Sequence, residues 1–515
     1  MAKNQKEISI SEFFTKNRHL LGFDNPKKAL LTAVREGVDN SLDACEEAGI
    51  LPEIVVEIHP TEKEDRFRVV MEDNGPGIVE QQIPNIFARL LYGSKFHRLR
   101  MSRGQQGIGI SAAGLYGTLT TGKPLKVISR TGPRKHAVRM DLKIDSRKNT
   151  PEILFKEACD WHRGHGTRVE IELEARYQKG RQSVDDYLRQ TAIANPHVAL
   201  TYRTPEGETI EFQRATKELP PPPRELKPHP HGIELGALID MLKITKARSV
   251  KSFLVEDFSR VSAGVAEEIL KTAKLSLSIK PGSTSREQAD ALFHAIGATK
   301  IRIPPTDCVV PIGEELLKAG LLKELEKGAE TDIFCEATSR KPTVYRGNPF
   351  VVEVALAYGG GMPADETVRL LRFANRVPLL YQQSACAVTK SVINTDWRNY
   401  GLQQPKGALP IGPLVVMVHI ASVWVPYTSE SKEAIAHYPE IIKEFRLALQ
   451  ETGRKLGAHI KRRRREADAA KKFAYIEKYI PHIGIALQEI LGLTDEDRKK
   501  TVDVLSDTLA RSRQL

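Results

Sequence analysis

Cysteine is scarce in this chain. The five residues, Cys45, Cys159, Cys308, Cys335 and Cys386, are scattered, and no two have C-x-x-C spacing. That excludes a disulfide framework and the common zinc clusters, and leaves buried, reduced thiols as the expectation. Apolar runs of about 18 residues are absent, so no membrane-spanning helix is expected. The N-terminus, MAKNQKEISI, has no apolar signal region. These absences predict a soluble, intracellular chain without membrane partners. The phosphate-binding pattern G-x-x-x-x-G-K-[ST] is missing, which excludes a P-loop nucleotide site. There is no internal repeat.

Acidic charge is in deficit. Lys and Arg number 77 against 65 Asp and Glu, a net charge of +12 over 515 residues, with 41% hydrophobic residues. The length predicts two to four domains, and the charge favours an anionic partner, nucleic acid first.

The stretch from 35 to 49, REGVDNSLDACEEAG, sits in a helix expected over about 26–48. Leu31, Val34, Val38, Leu42 and Cys45 make its apolar stripe, and Glu36, Asn40 and Asp43 form a second, polar stripe. Gly37 and Asn40 each lower helix propensity by about 0.5–1 kcal/mol, so this is an unusual solvated face. Further helices are expected at about 81–91, 107–117 and 183–193. Strands are expected at 54–60, 66–73, 126–132, 137–144 and 167–175. MEDNGPGI (71–78) ends the second strand, placing Asp73 as an acceptor before a turn of little bulk at Gly75 and Gly77. RGQQGIGISAAG (103–114) brings Gly104, Gly107 and Gly109 before an apolar helix, where backbone N–H groups and the helix N-terminus can cradle phosphate. GHGTRVEIEL (164–173) leads Thr167 into a strand.

Four consecutive prolines in ELPPPPREL (218–226) form a stiff connector. Helical patterns follow over about 232–300. Strands return at 350–360, 369–380 and 414–426, and a helical pattern near 50 residues long begins at SKEAIA (431–436). The domains expected are 1–222, 223–307, 308–470 and a helical tail at 471–515.

Each motif by itself is common. Their order and spacing over residues 30–175 together resemble the GHKL ATPase family of gyrase-type topoisomerases, MutL-type repair proteins, ninety-kilodalton heat-shock chaperones and histidine kinases. Only about 25 residues precede the motif helix, so there is no room for the phosphoacceptor helix of a histidine kinase. The helical insert resembles the helix–two-turn–helix domain. With RFANRVPLLYQQSA (372–385), it makes nearly the whole chain similar to the B subunits of type IIB topoisomerases (topoisomerase VI).

This resemblance implies an α+β multidomain fold: an N-terminal GHKL (Bergerat) α/β sandwich, the insert, a transducer domain of ribosomal S5 domain 2-like fold, and a long C-terminal helix. It implies ATP and Mg²⁺ as cofactors. Glu36 is then the general base for the attacking water, Asn40 the Mg²⁺ ligand and Asp73 the acceptor of the adenine amino group, supported by Thr167. Gly75 and Gly77 line that end of the site. Ser94 and Lys95 lie in the ATP lid. Gly104, Gln105, Gln106, Gly107, Ile108, Gly109, Ile110 and Ser111 wrap the triphosphate. Lys432 reaches the γ-phosphate from the second domain, with Lys406 its competitor.

The implied partners are a separate A subunit in an A2B2 heterotetramer, a second copy joined through the ATPase domain on ATP binding, and double-stranded DNA. No tyrosine here stands in a recognisable cleavage motif, and Asp495-x-Asp497 reads as a helix start. Cleavage is therefore expected from the A subunit. Lys461 and Arg462–Arg465 are the first candidates for DNA phosphate contact, and the tail is the expected docking site for the A subunit. A scaffold that activates a recombination nuclease, or a repair or chaperone GHKL ATPase, are the alternatives.

Overall fold

The computed structural model describes residues 8–93, 99–104, 107–325, 333–429 and 431–512. The chain divides into two compact units, Met1–Thr395 with Pro405–Thr452, and Asp396–Gln404 with Gly453–Leu515.

In the first unit, α1 (Ile10–Lys16) precedes α2 (Pro26–Glu47). Asn25 caps α2 by accepting from the Lys28 N–H, and Pro26 takes the first helical position, where its missing N–H costs nothing. Then come β1 (Glu53–Pro60), β2 (Arg66–Asp73), α3 (Ile83–Phe87), α4 (Gly109–Thr121), β3 (Leu125–Arg130), β4 (Ala137–Asp145), β5 (Thr150–Cys159), β6 (Gly166–Glu174), α5 (Val184–Ala194), β7 (Ala199–Arg203) and β8 (Thr209–Phe212). The eight strands form one sheet in the order β5-β4-β3-β6-β2-β1-β7-β8. Every pairing is antiparallel except β1 with β7. Val34, Val38 and Leu42 of α2 pack into the same core as Val56, Met71, Val127 and Ile171 of the sheet, so the polar stripe of α2 is presented from a fixed element.

The helix expected at 81–91 is shorter. A 3-10 turn leads into α3, which ends at Phe87, and Leu91 takes a left-handed φ of 60° that no continuing helix allows. β5 carries no clean alternation of apolar and polar residues that sequence reading could use, and it is exposed along most of its length. β7 (ALTYR) and β8 (TIEF) do alternate, but over only five and four residues, and sequence reading did not single them out.

Beyond the prolines, α6 (Leu235–Ile244), α7 (Val250–Asp257), α8 (Ala263–Thr272) and α9 (Arg286–Ala298) close around Leu242, Phe253, Ile269 and Leu292. The connector is tied at both sides: Leu226 N–H donates to Leu99 O and Arg224 N–H to Asp307 O.

A second sheet follows α10 (Glu314–Leu325). It contains β9 (Ile333–Ser339), β10 (Thr343–Tyr345), β11 (Asn348–Gly359), β12 (Arg369–Ala374), β13 (Val377–Pro378) and β14 (Leu414–Ser422), with α11 (Ala387–Ile393) between the last two. Its order is β10-β11-β14-β12-β13, with β9 also on β11, and β12 runs parallel to β14. α5 serves both sheets. Tyr187 and Leu188 enter the first core, and Ile193 and Ala194 enter the second beside Leu317, Phe373 and Met417.

SKEAIA does not open the long helix. Residues 431–436 form a loop in which Lys432 has φ 53° and Tyr427 pairs with Ile435. α12 (Pro439–Leu491) begins only at Pro439, whose fixed φ suits a first helical turn. It runs as one helix of 53 residues.

In the second unit, Tyr400 lies against Gly453 and Gly457 of α12, where an added Cβ would come within 2.5 and 3.2 Å of it. α13 (Asp495–Ser512) packs Val502 against Gly484. Its start is capped by Thr494, whose hydroxyl accepts from the Asp497 N–H and donates to the Asp497 carboxylate. The two aspartates therefore occupy the first turn, with a threonine as the cap. Among the described residues no helix is long and apolar enough to cross a membrane.

Candidate active site

A cavity of about 680 Å³ opens between α2, β2, β6 and the N-terminus of α4. Glu36, Asn40, Asp73, Gly77, Gly104, Gly107, Ile108, Gly109, Ile110, Thr167 and Lys432 all border it. Residues from opposite ends of the first unit's sequence thus meet at one place. Ser94, Lys95, Gln105 and Gln106 lie outside the described residues.

At one end Asp73, 6% exposed, ends β2. Its Oδ1 accepts from the Gly75 N–H at 2.9 Å and the Thr167 N–H at 3.1 Å, and its Oδ2 from the Ser41 hydroxyl at 2.8 Å. Burial raises the carboxyl above its ordinary range, and these hydrogen bonds oppose the shift. Gly75 thus serves by giving its N–H to Asp73. Gly77 has φ 70°, and a Cβ there would sit 2.0 Å from Arg130 O, so only glycine fits the turn. Thr167 Oγ1 also reaches Ser129 Oγ at 3.3 Å.

At the other end Glu36 lies over the first turn of α4. A Cβ on Gly109 would fall 1.8 Å from Glu36 Oε2, so the carboxylate occupies the space that any side chain there would fill. Gly109→Ala is therefore expected to push the Glu36 side chain aside while the fold survives, because the flexible end of a side chain is what must move. If Glu36 acts as the resemblance implies, ATP turnover should fall by about ten-fold or more, with the melting temperature shifted by only a few degrees; equal turnover would take the carboxylate out of that role.

Gly37 has a different purpose from the one its neighbours suggest. Its missing Cβ makes room for the Met71 sulfur, which would otherwise be 2.0 Å away, so the glycine seats α2 on β2. Ser111 turns its hydroxyl back to Ile108 O and is buried.

Asn40 stands exposed on α2, and a Cβ on Gly104 would be 3.8 Å from its amide oxygen. Among the described residues no three His, Cys, Asp or Glu side chains group as a metal cage. A lone amide oxygen beside the cavity's glycine-rich wall suits Mg²⁺, which keeps waters and takes most other ligands from phosphate.

Behind the cavity, Asp43 and Lys432 were singled out by sequence reading, whereas Arg103, Glu46, Arg35 and Asn195 were not. Arg103 is 4% exposed and its guanidinium spans Asp43 (2.8 Å), Glu46 (2.6 and 2.9 Å) and Asn195 (2.5 Å). Asp43 Oδ2 also faces the Gly104 N–H at 3.5 Å, so Asp43 holds the Arg103–Gly104 segment. Lys432 Nζ donates to Arg103 O at 3.3 Å. Its loop is docked on α2 by the Lys28–Glu433 ion pair at 2.6 Å and by Arg35 donating to Ser431 O at 3.3 Å. Arg35 also meets Glu36 Oε1 at 3.2 Å. Lys406 lies in an exposed turn away from the cavity.

Asp39 is buried beneath this group and accepts from the Tyr187 hydroxyl at 2.9 Å. Burial, then Glu36, push its carboxyl up to about 7, against the attraction of Arg103 and Arg35. A carboxyl raised on folding binds its proton more tightly in the native state. Its contribution is full below the unfolded value near 4 and is lost as pH rises through about 7. Asp39→Asn imitates the protonated acid. Thermal melts should show it close to the parent at pH 4 and more stable at pH 8. The gain should be a few kcal/mol, since each tenfold change in proton affinity is worth about 1.4 kcal/mol.

An acid and an amide on one helix, an aspartate ending a strand and a glycine-rich segment opening a helix define a nucleotide-binding ATPase site. Residues 25–177 match the family model described as histidine kinase-, DNA gyrase B-, and HSP90-like ATPase. Residues 304–472 match the topoisomerase VI B subunit transducer. The B subunit of type 2 DNA topoisomerase 6 from Methanococcoides burtonii is 51% identical over 492 residues, 95% of this chain and 78% of that one. Its counterpart in Archaeoglobus fulgidus is 49% identical over 95% of this chain and 80% of that one. The Pyrococcus horikoshii protein is 39% identical over 96% and 93%. The chain belongs to the family of type 2 DNA topoisomerase 6 B subunits. It is the ATPase subunit of a type IIB topoisomerase.

Proposed function

We propose that this chain is an ATP-driven clamp. Two copies join through their N-terminal ATPase domains when ATP binds, α1 and the residues around it crossing as a strap. With a separate A subunit in an A2B2 assembly, they pass one DNA duplex through another and relax supercoils. The observation that carries this reading is that Lys432, from the loop after β14, borders the same cavity as Glu36 and Asp73. One nucleotide can therefore bridge both sheets of the first unit.

In this reading Asp73 accepts the adenine amino group, and the backbone from Gly104 to Gly109 surrounds the phosphates with the N-terminal end of α4 behind them. Ser94, Lys95, Gln105 and Gln106 complete the lid. Glu36 orients the attacking water and takes its proton. Asn40 would hold Mg²⁺, which when bound offsets phosphate charge. Lys432 leaves the Arg103 carbonyl for the terminal phosphate, so it distinguishes ATP from ADP and passes that state to the second sheet.

Tyr475, Ile476, Tyr479, Ile483, Ile490 and Leu491 are exposed along the end of α12. They supply an apolar surface for docking the A subunit. Arg462–Arg465 are exposed on the same helix and would meet DNA phosphates. Replacing these four arginines by alanine is expected to weaken DNA binding evenly across sequences and to flatten log K against log salt by up to about 0.9 per lost contact. An unchanged slope would remove this run from the interface.

Sedimentation of the chain with and without a non-hydrolysable ATP analogue tests the clamp. A dimer that forms only with the analogue is expected. A monomer under both conditions, or failure of plasmid relaxation with the A subunit despite ATP turnover, would overturn the reading.

A further inference from the structure

The sequence FANR in RFANRVPLL borders no part of the nucleotide cavity, yet it forms a tight, buried turn of the second sheet. Asn375 and Arg376 join β12 to β13 as a two-residue turn with φ of 48° and 68°. Both are left-handed, a conformation strained for side chains other than glycine, asparagine and aspartate. Both are also buried, at 2% and 5% exposure. Such a turn persists only where its surroundings over-determine it.

Those surroundings are specific. Arg376 N–H donates to His419 Nε2 at 3.0 Å, so that nitrogen is an acceptor and the ring proton sits on Nδ1. Nδ1 lies 2.8 Å from Glu353 Oε2, and both side chains are wholly buried. The Glu353 carboxylate also accepts from the Ile312 and Gly313 N–H groups, at 2.8 Å each. Asn375 spends its amide in two directions. Nδ2 donates to Ser422 O at 2.9 Å, and Oδ1 accepts from the Ser422 N–H at 2.8 Å, which fixes it to the end of β14. Nδ2 also donates to Ser102 O at 3.0 Å.

Ser102 begins the segment that reaches the cavity wall at Gly104. The next residue, Arg103, gives its carbonyl to Lys432 and its guanidinium to Asp43, Glu46 and Asn195. Asn195 Nδ2 in turn faces Arg376 O at 3.4 Å. β14, held by the same amide, runs on through Tyr427 to Lys432. One asparagine side chain therefore pins that segment to the strand that leads to the lysine.

The geometry points to Asn375 as a positioning residue for the ATPase reaction. It registers the Ser102–Gly104 segment against the Lys432 loop, so that these two walls of the cavity respond together to a terminal phosphate. This rests on the nucleotide-site reading above. Asn375 touches no nucleotide; its effect passes through Ser102, Arg103 and Lys432.

Asn375→Gly tests it, because glycine keeps the left-handed backbone and removes only the amide. In the full-length chain, titration calorimetry with a non-hydrolysable ATP analogue and with ADP is compared between parent and variant. The analogue is expected to bind about ten-fold more weakly to the variant and ADP within about two-fold of the parent. Equal weakening of both would mark a merely structural residue, and no change in either would show that the Ser102–Gly104 segment is set elsewhere; both overturn the inference. Should the glycine variant not fold, Asn375→Asp answers the same question, since it still accepts from the Ser422 N–H but can donate to neither Ser422 O nor Ser102 O. A parent chain that binds neither nucleotide would remove the site reading and this inference with it. A parent that favours the analogue over ADP, together with variants that do so equally, would remove this inference alone.

Discussion

Glu36→Ala is expected to lower ATP turnover by about 10²–10⁴-fold while nucleotide binding and analogue-induced dimerisation persist. The reason is positional. Glu36 stands on a helix whose opposite face is locked into the first core, and its carboxylate rests against Gly109 at the start of α4, facing the cavity. Removing it leaves the walls, Asp73 and Lys432 in place, so binding energy is kept and proton removal from water is lost. Steady-state ATPase assays with sedimentation in the presence of the analogue separate the two. Retained hydrolysis would take Glu36 out of the chemistry. Loss of binding as well as turnover would make it a structural support, held by Arg35 at 3.2 Å.

The second large effect is at Asp73. Asp73→Asn is expected to keep the fold and weaken ATP binding by about ten- to a hundred-fold. An asparagine amide oxygen still accepts from the Gly75 and Thr167 N–H groups, and its NH₂ can donate to the Ser41 hydroxyl. What it loses is the charged acceptor at the end of the cavity proposed to take the base, and hydrogen bonds to charged groups are worth about 1.5–3 kcal/mol. Asp73→Ala is harsher. Two N–H donors and a hydroxyl would be left without a partner in a buried place, at roughly 1–3 kcal/mol each, so the variant should melt well below the parent. Calorimetric binding and thermal melts of the two variants distinguish recognition from scaffolding. Equal ATP affinity in the asparagine variant would exclude Asp73 as the base-reading acceptor.

Sequence reading found α2, its apolar stripe and the carboxylate and amide opposite because those relations span three or four residues, the reach of one helical turn. It found β2, β6 and α4 for the same reason, and it placed Asp73 and Gly109 at element ends by their neighbours alone. It missed Arg103, Arg35, Asp39, Ser41 and Asn195. Each acts through partners that lie in other elements: Arg103 through Asp43 and Asn195, Arg35 through Ser431, Asp39 through Tyr187. A lone arginine in a glycine-rich segment carries no local sign that two carboxylates await it. Gly37 shows the limit from the other side. Its place on α2 was legible, but its reason, the Met71 sulfur on the neighbouring strand, was not.

SKEAIA marks the same boundary. Its residues suit a helix, and the helical pattern after it is continuous. The loop forms instead because Glu433 is drawn into an ion pair with Lys28, and Arg35 takes the Ser431 carbonyl. Those contacts hold Lys432 in a left-handed conformation at the cavity wall. By itself the sequence determined most of the elements that carry the site, the family and the chemical types at the site, because helix stripes, strand ends and glycine turns are short-range and steric. Only the tertiary structure decided which lysine reaches the cavity, what anchors the Ser102–Gly104 segment and which carboxyls are buried. Charge pairing and burial depend on segments far apart in the chain that meet only once both sheets have packed on α5.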